Sequence, residues 1–178
     1  AKQMVELPEE FVMDRIIESG KVAQELGAKI VGLGAFTSIV GDAGITVAKN
    51  LDIAVTSGNS YTVATAIQGT KQAARMMGKD LKECRAVVVG ATGSIGAASV
   101  RLLAKEVKHI TLVARHMGPL EELAQELIEQ NHCEVAVSQD IRTSLQEADI
   151  VITVTSALDF LIEPGDLKPG AVVCDVAR

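Results

Sequence analysis

Aromatic side chains are scarce in this chain of 178 residues, which contains no Trp, one Tyr and three Phe. Such a chain has few side chains on which nucleic-acid bases could stack. Its formal net charge of −6 and its lack of any Lys/Arg cluster also argue against a nucleic-acid partner. No apolar run reaches the ~18 residues of a transmembrane helix, and the N-terminal residues do not follow the pattern of a secretory signal peptide.

Cysteine is also sparse. The chain has three cysteines, an odd number, and no C-x-x-C spacing occurs among Cys84, Cys133 and Cys174. This distribution predicts neither a disulfide framework nor a zinc site, and no other set of potential metal ligands is evident. We therefore expect a soluble protein of a reducing compartment, the cytoplasm, without a metal ion.

The most informative stretch is an apolar, β-branched run that leads into three glycines and then into an Ala-rich helical pattern. It extends from Arg85 to Ala98. A strand, a glycine turn and a helix in this order place free backbone N–H groups where a dinucleotide pyrophosphate can bind. The spacing is G-x-x-G-x-x-G, a variant of the commoner G-x-G-x-x-G, and a purely structural turn is the alternative interpretation. We expect cofactor contacts along the whole turn: Gly90, Ala91, Thr92, Gly93, Ser94, Ile95 and Gly96.

A second signal lies at the end of the next predicted strand, His109–Arg115. NAD-specific folds of this kind usually carry Asp or Glu here, which binds the ribose hydroxyls. This chain instead has Arg115, preceded by Ala114 and followed by His116. A guanidinium can bind a 2′-phosphate through paired charge-assisted hydrogen bonds, whereas a carboxylate would repel it. The pattern therefore favours NADP(H) as the cofactor, and an ordinary solvated arginine is the alternative.

The chain divides by pattern into three parts. Residues 1–60 alternate helices and strands and predict a small α/β lobe that lacks its beginning. Residues 61–82 predict a connecting helix. Residues 83–178 predict a doubly wound parallel (Rossmann) NAD(P)-binding domain, because strands and helices alternate after the glycine turn. The chain begins at Ala1 rather than Met and stops directly after an apparent strand, so we expect a part of a longer protein.

Three polar stretches are expected to line the ligand cleft. The predicted strand 149–155 ends near the switch point of the sheet, where ligands bind, and simple strand-end hydroxyls are the alternative there. Two stretches of the lobe each follow an apparent strand and are expected on the substrate side, although Asn59 could instead only cap a helix. The nicotinamide-side residues are Thr155, Ser156 and Ala157, and the substrate-side residues are Phe36, Thr37, Ser38, Asn59, Ser60, Tyr61 and Thr62.

Four sequence segments in combination resemble one enzyme family: Gly34–Ile39, Thr56–Thr62, Val88–Gly96 and Leu112–Arg115. In this order and spacing they are similar to the long-chain fatty acyl-[acyl-carrier-protein] reductases of cyanobacteria, and the resemblance covers most of the chain. It implies NADPH-dependent reduction of a fatty acyl thioester, on acyl carrier protein or coenzyme A, to an aldehyde through a cysteine acyl-enzyme. It also implies that the catalytic cysteine lies beyond Arg178, so that this chain would hold the cofactor without completing the reaction.

Two other classes remain open. The layout and the final stretch Lys168–Val176 are also similar to the shikimate and methylenetetrahydrofolate dehydrogenases, which transfer hydride to or from small substrates without a covalent step. A non-catalytic, regulatory nucleotide-binding module is the third interpretation, since no nucleophile is identified. The acyl chain length, the carrier and the oligomeric state, a homo-oligomer included, are left open.

Overall fold

The computed structural model describes residues 4, 6–38, 40–130, 133–154 and 162–176. The chain forms two compact units, Ala1–Asn59 and Ser60–Arg178. No helix among the described residues is long and apolar enough to cross a membrane.

The first unit is a small α/β arrangement with a two-stranded parallel sheet, in which β1 pairs with β2. The first helix buries Val12, Ile16 and Gly20, one residue per turn, and this spacing gives it one apolar side. That side faces a cluster that includes Val47 and Leu51. The elements are α1 (Glu9–Glu25), β1 (Ile30–Gly32), a 3-10 helix (Ala35–Ser38), α2 (Ile45–Lys49) and β2 (Ala54–Thr56).

The second unit contains a five-stranded, wholly parallel sheet. The elements are α3 (Asn59–Met76), a 3-10 helix (Leu81–Glu83), β3 (Arg85–Val89), α4 (Ser94–Leu103), β4 (His109–Val113), α5 (Met117–Gln130), β5 (Glu134–Ser138), α6 (Ile141–Leu145), β6 (Ile150–Thr153), a 3-10 helix (Pro164–Asp166) and β7 (Val172–Asp175). The strands lie in the order β5-β4-β3-β6-β7. The chain thus runs outward from β3 and then returns to its other side, which is the doubly wound topology. This order confirms the fold class expected from the sequence.

Both faces of the sheet carry buried residues, which explains why its central strands are almost continuously apolar. Along β3, Ala86 and Val88 join a large hydrophobic cluster, whereas Val87 and Val89 join a smaller one. The larger cluster also includes the buried side of α3, which therefore packs as part of this core. That side contributes Val63, Ile67 and Ala74.

Two helices of this unit begin earlier than their apolar patterns suggest. Helix α5 begins at Met117, two residues before Pro119, because proline is tolerated in a first turn whose N–H groups have no intrahelical acceptor. Helix α6 begins at Ile141 because the Asp140 carboxylate caps it by accepting the Thr143 N–H (3.3 Å). Ile128 continues the apolar spacing of α5 but is 54% exposed, so the buried side of that helix ends at Leu127.

A charged junction lies at the edge of the sheet where the strands begin. The carboxylate of Asp149, which is 16% exposed, accepts hydrogen bonds from Lys79 Nζ (3.0 Å), Lys168 Nζ (2.7 Å) and the Arg85 N–H (3.0 Å). Burial raises the pKa of this carboxyl, but the three hydrogen bonds outweigh burial and lower the pKa to about 2. The junction joins the starts of β3 and β6 to the segments that follow α3 and precede β7.

Candidate functional site

The turn after β3 has the backbone geometry that the glycine motif predicts. Gly90 has a φ of +83°, a conformation that favours glycine because it has no Cβ. A Cβ added to Gly96 would overlap the Gly90 carbonyl oxygen and lie 2.9 Å from the carbonyl carbon. Only glycine therefore lets α4 approach the turn this closely. The close approach explains these two glycines, while the case for a ligand rests on the start of the helix.

The first turn of α4 presents backbone N–H groups to an incoming acceptor. The first helical hydrogen bond runs from the Ala97 N–H to the Gly93 carbonyl (2.8 Å), and no side chain caps the helix at Gly93. Among the hydrogen bonds of the described residues, none uses the N–H of Ile95 or Gly96. Such free N–H groups and the positive end of the helix dipole bind phosphate. The helix start therefore fits the pyrophosphate of a dinucleotide.

The glycine turn is fastened to the end of β4 through one carbonyl group. The Val113 carbonyl oxygen accepts the N–H of Gly90 (2.8 Å) and the N–H of Ala91 (3.1 Å). Ala91 is fully buried, so its side chain and its N–H both hold the turn in place. Thr92 and Ser94 are exposed beside it.

The second predicted recognition point follows β4 directly. Because β4 ends at Val113, Ala114, Arg115 and His116 lie in the segment between β4 and α5. Arg115 and His116 are exposed, and none of the ion pairs of the described residues involves Arg115. The Arg115 carbonyl oxygen accepts a hydrogen bond from Gln139 Nε2 (2.5 Å), which links this segment to the end of β5. An uncommitted guanidinium at this position suits a 2′-phosphate.

The ends of β6 and β7 carry a pair of interacting residues that the sequence interpretation missed. Thr155, Ser156 and Ala157, expected on the nicotinamide side, lie outside the described residues. At the last described level of the strand, Thr153 Oγ1 donates a hydrogen bond to Asp175 Oδ1 of β7 (2.5 Å). Aspartate is depleted in strands, so an Asp within the apolar run of β7 was the available signal.

The two polar stretches expected on the substrate side are held by local hydrogen bonds. Phe36, Thr37 and Ser38 lie in the 3-10 helix of the first unit, where the Thr37 hydroxyl donates to the Gly34 carbonyl (2.7 Å) and the Ser38 hydroxyl donates to the Ala35 carbonyl (2.8 Å).

The second stretch is the start of α3. That helix begins at Asn59 itself, and Ser57 Oγ accepts the Asn59 N–H (3.5 Å). Ser60, Tyr61 and Thr62 continue the first turn, and Tyr61 is 77% exposed.

Two of the three cysteines lie at the edge of the sheet where the strands begin, and the third, Cys174, packs against α3. Cys84 directly precedes β3, where burial and the nearby Asp149 carboxylate raise its pKa. Cys133 directly precedes β5, and burial raises its pKa too. Cys174 lies within β7, with its Sγ 3.9 Å from the Ala66 carbonyl oxygen. A thiol with a raised pKa is mostly protonated at neutral pH and reacts slowly.

The strand order, the glycine turn and the open start of α4 define a dinucleotide-binding domain of the kind found in NAD(P)-dependent oxidoreductases. Its particular relationship is shown by comparison with known families. The model of the Shikimate / quinate 5-dehydrogenase family matches residues 71–176, more than half of the chain. The chain belongs to this family, one of the two that the stretch Lys168–Val176 resembles.

Individual relatives match parts of larger proteins. The aminotransferase PigE of Serratia sp. is 33% identical over 168 residues, which cover 93% of this chain and 20% of that protein. The long-chain acyl-[acyl-carrier-protein] reductase of Synechococcus elongatus is 29% identical, and the match covers 90% of this chain and 48% of that enzyme. The chain therefore spans about half or less of the length of these curated relatives.

A solved structure shows the same fold at low identity. The Δ1-pyrroline-2-carboxylate reductase of Thermococcus litoralis, in complex with NADH and L-proline, superposes with a TM-score of 0.55 at 14% identity. The match covers 67% of this chain and 37% of that one. At this identity the likeness concerns the fold alone.

Proposed function

We propose that this chain binds NADP(H) and forms the cofactor-binding part of a reductase that converts a fatty acyl thioester to an aldehyde. One observation carries the proposal: the uncapped start of α4 lies on a glycine turn that is hydrogen-bonded to the end of β4, two residues before an exposed arginine. A phosphate-binding helix start and a cation for the 2′-phosphate are the two features that NADP(H) requires of such a domain.

Each part of the proposed site has a distinct task. The N–H groups of Ile95 and Gly96 would hold the pyrophosphate, the hydroxyls of Thr92 and Ser94 would add hydrogen bonds to it, and Arg115 would bind the 2′-phosphate. Contacts of Thr155, Ser156 and Ala157 with the nicotinamide, and of the polar stretches 36–38 and 59–62 with the substrate, stay predictions from the sequence. When bound, the reduced nicotinamide supplies a hydride for the carbonyl carbon of the substrate.

The acyl thioester is proposed from the four sequence segments and the match to the Synechococcus enzyme. Reduction through an acyl-enzyme needs a thiolate. Cys84 and Cys133 have raised pKa values at the opposite edge of the sheet, and the Cys174 thiol packs against the Ala66 carbonyl oxygen of α3. We therefore expect these 178 residues to bind the cofactor but to need a cysteine from elsewhere in the protein for the covalent step. Acyl carrier protein or coenzyme A would present the acyl group.

A second candidate is direct hydride transfer to a small polar carbonyl compound, and the match to the Shikimate / quinate 5-dehydrogenase family favours it. The two candidates differ in their need for a thiol. A direct dehydrogenase would keep its activity after alkylation of all cysteines, whereas acyl reduction by the complete protein would be lost. Following NADPH oxidation at 340 nm, with acyl thioesters and with small keto acids, separates them.

The first test is a calorimetric titration of the chain with NADPH and with NADH. We expect a clear preference for NADPH. Arg115→Gln should weaken NADPH binding by ~1.5–3 kcal/mol, the worth of a hydrogen bond to a charged group, and should leave NADH binding nearly unchanged. Arg75→Gln, which removes an exposed arginine of α3, is the matched control. Equal losses for both nucleotides would show that Arg115 does not bind the 2′-phosphate, and an absence of binding would overturn the proposal.

A further inference from the structure

The carboxyl edge of the sheet carries a hydrogen-bonded side-chain pair that the proposed function leaves without a task. Thr153 and Asp175 are the last residues of β6 and β7 and are partners in the parallel ladder. The Thr153 hydroxyl donates to the Asp175 carboxylate at 2.5 Å, and Thr153 is only 6% exposed. The buried hydroxyl therefore restrains the orientation of an exposed carboxylate.

The pair lies level with the start of the glycine turn. Val89, the last residue of β3, is aligned with Thr153 across the sheet, and Thr153 is aligned with Asp175. Neighbouring strands are ~4.8 Å apart, so Asp175 lies roughly 10 Å from the end of β3 along the same edge. A dinucleotide that leaves its pyrophosphate at the glycine turn extends its nicotinamide half across this edge, past β6. Among the last residues of β3, β6 and β7, Asp175 is the one that carries a carboxylate.

We propose that Asp175, oriented by Thr153, is a charge-positioning residue for the nicotinamide ring, an inference that rests on the proposed function. When bound, the reduced cofactor would supply a hydride, with its electron pair, from ring C4 to the thioester carbonyl carbon. The carbon–oxygen π pair would move onto oxygen and re-form the carbonyl as the carbon–sulfur bond breaks and the thiolate leaves. The ring thereby changes from neutral to positively charged. The Asp175 carboxylate attracts this positive charge, which favours the oxidised cofactor and the transition state that leads to it.

The position of Asp175 supports this task over an ordinary solvated side chain. Aspartate is depleted in strands, and the run that contains it is otherwise formed by Val172, Val173, Cys174 and Val176. Thr153 likewise ends a strand whose other residues, Ile150 to Ile152, are wholly apolar and buried. Polar residues thus occur together only at the level where both strands reach the carboxyl edge.

The test compares the affinities of NADP⁺ and NADPH for the chain and its variants by calorimetry or by cofactor fluorescence. Asp175→Asn should weaken NADP⁺ relative to NADPH about threefold or more, because two unit charges ~7 Å apart in water already give roughly this factor. Asp175→Glu, which keeps the charge, should restore most of the wild-type ratio. Glu147→Gln is the control of equal charge change, since Glu147 is 79% exposed near the opposite edge, and it should leave the ratio unchanged.

Thr153→Val provides an independent variant should Asp175→Asn fail to fold. This variant removes the hydroxyl that donates to Asp175 and keeps the charge of Asp175. The affinity for NADP⁺ relative to NADPH should therefore fall, as in Asp175→Asn, but by a smaller factor. A ratio unchanged in Asp175→Asn, with NADPH binding retained, would overturn the role of Asp175 while leaving the proposed function intact. Absence of NADPH binding by the wild-type chain would instead overturn the proposed function and this inference with it.

Discussion

Replacing Asp149 by Asn should destabilise the second unit at neutral pH, and the loss should shrink in acid. The carboxylate receives two lysine ammonium groups and one backbone N–H at 2.7–3.0 Å. Removing its charge leaves Lys79 and Lys168 without their shared partner and weakens the link between the starts of β3 and β6. We expect no direct effect on nucleotide binding, because the junction lies at the opposite edge from the glycine turn.

The magnitude follows from the pKa of the carboxyl. The pKa of this carboxyl is about 2 in the folded protein against 3.8 for an unperturbed aspartate, a difference that corresponds to roughly 2 kcal/mol at neutral pH. Because the folded pKa is the lower one, this stability is fully present above pH ~4–5 and is lost as the pH falls through 2. At pH 3, roughly half of this stability remains.

The assay is chemical denaturation, followed by circular dichroism, of wild type and Asp149→Asn at pH 7, 5 and 3. The difference in unfolding free energy between the two proteins should be about 2–3 kcal/mol at pH 7 and 5 and should fall by about half at pH 3. Glu122→Gln, an exposed charge change on α5, should cost less than about 0.5 kcal/mol. A loss that is the same at pH 7 and pH 3 would refute the assignment of this stability to the ionised carboxylate.

Three further outcomes are expected from the packing of the second unit. Gly96→Ala should cost ~1–3 kcal/mol, because the new Cβ overlaps the Gly90 carbonyl, and should weaken NADPH binding. In the control Gly118→Ala, where a Cβ meets nothing within 4 Å, stability should be unchanged or raised by up to about 1 kcal/mol. Equal losses of stability in the two variants would contradict the overlap at Gly96. Leu127→Ala should lower the free energy of unfolding, measured by thermal or chemical denaturation, by ~2–5 kcal/mol. Ile128→Ala changes an exposed position and should lower it by less than about 1 kcal/mol. Arg101→Ala should cost no more than about 1 kcal/mol despite its two 2.7 Å contacts to Glu126, because both side chains are solvated; a larger loss would show that the pair is structurally essential.

Local pattern was enough to predict the order of the sheet. Once β3 and its glycine turn are recognised, alternating apolar runs and helical stripes leave few arrangements open, since parallel strands need crossover connections of one hand. The predicted strand His109–Arg115 was two residues too long, because β4 ends at Val113 and Arg115 lies in the segment after it. Helix starts are harder to predict from apolar spacing. The start of α6, for example, depends on the cap formed by Asp140.

Contacts between distant residues could not be derived from the sequence. Lys79 and Asp149 are 70 positions apart, and nothing local distinguishes either from other charged residues of the chain. The contact between Thr153 and Asp175 depends on the register of β6 against β7, and a shift of one residue would turn either side chain to the other face. Such pairs become visible only when the strands are aligned in space.

The shared carbonyl of Val113 has a consequence for altering this domain. The turn that would hold the pyrophosphate is fastened to β4 by main-chain atoms alone, so the side chains at positions 114 to 116 can be exchanged without loosening that fastening. Under the proposed function, discrimination between the two nucleotides would lie in the side chains that follow β4, and the pyrophosphate contacts would lie in the main chain of the glycine turn. A short replacement after β4 should convert the domain from one dinucleotide to the other, and no accompanying change in the glycine turn should be needed.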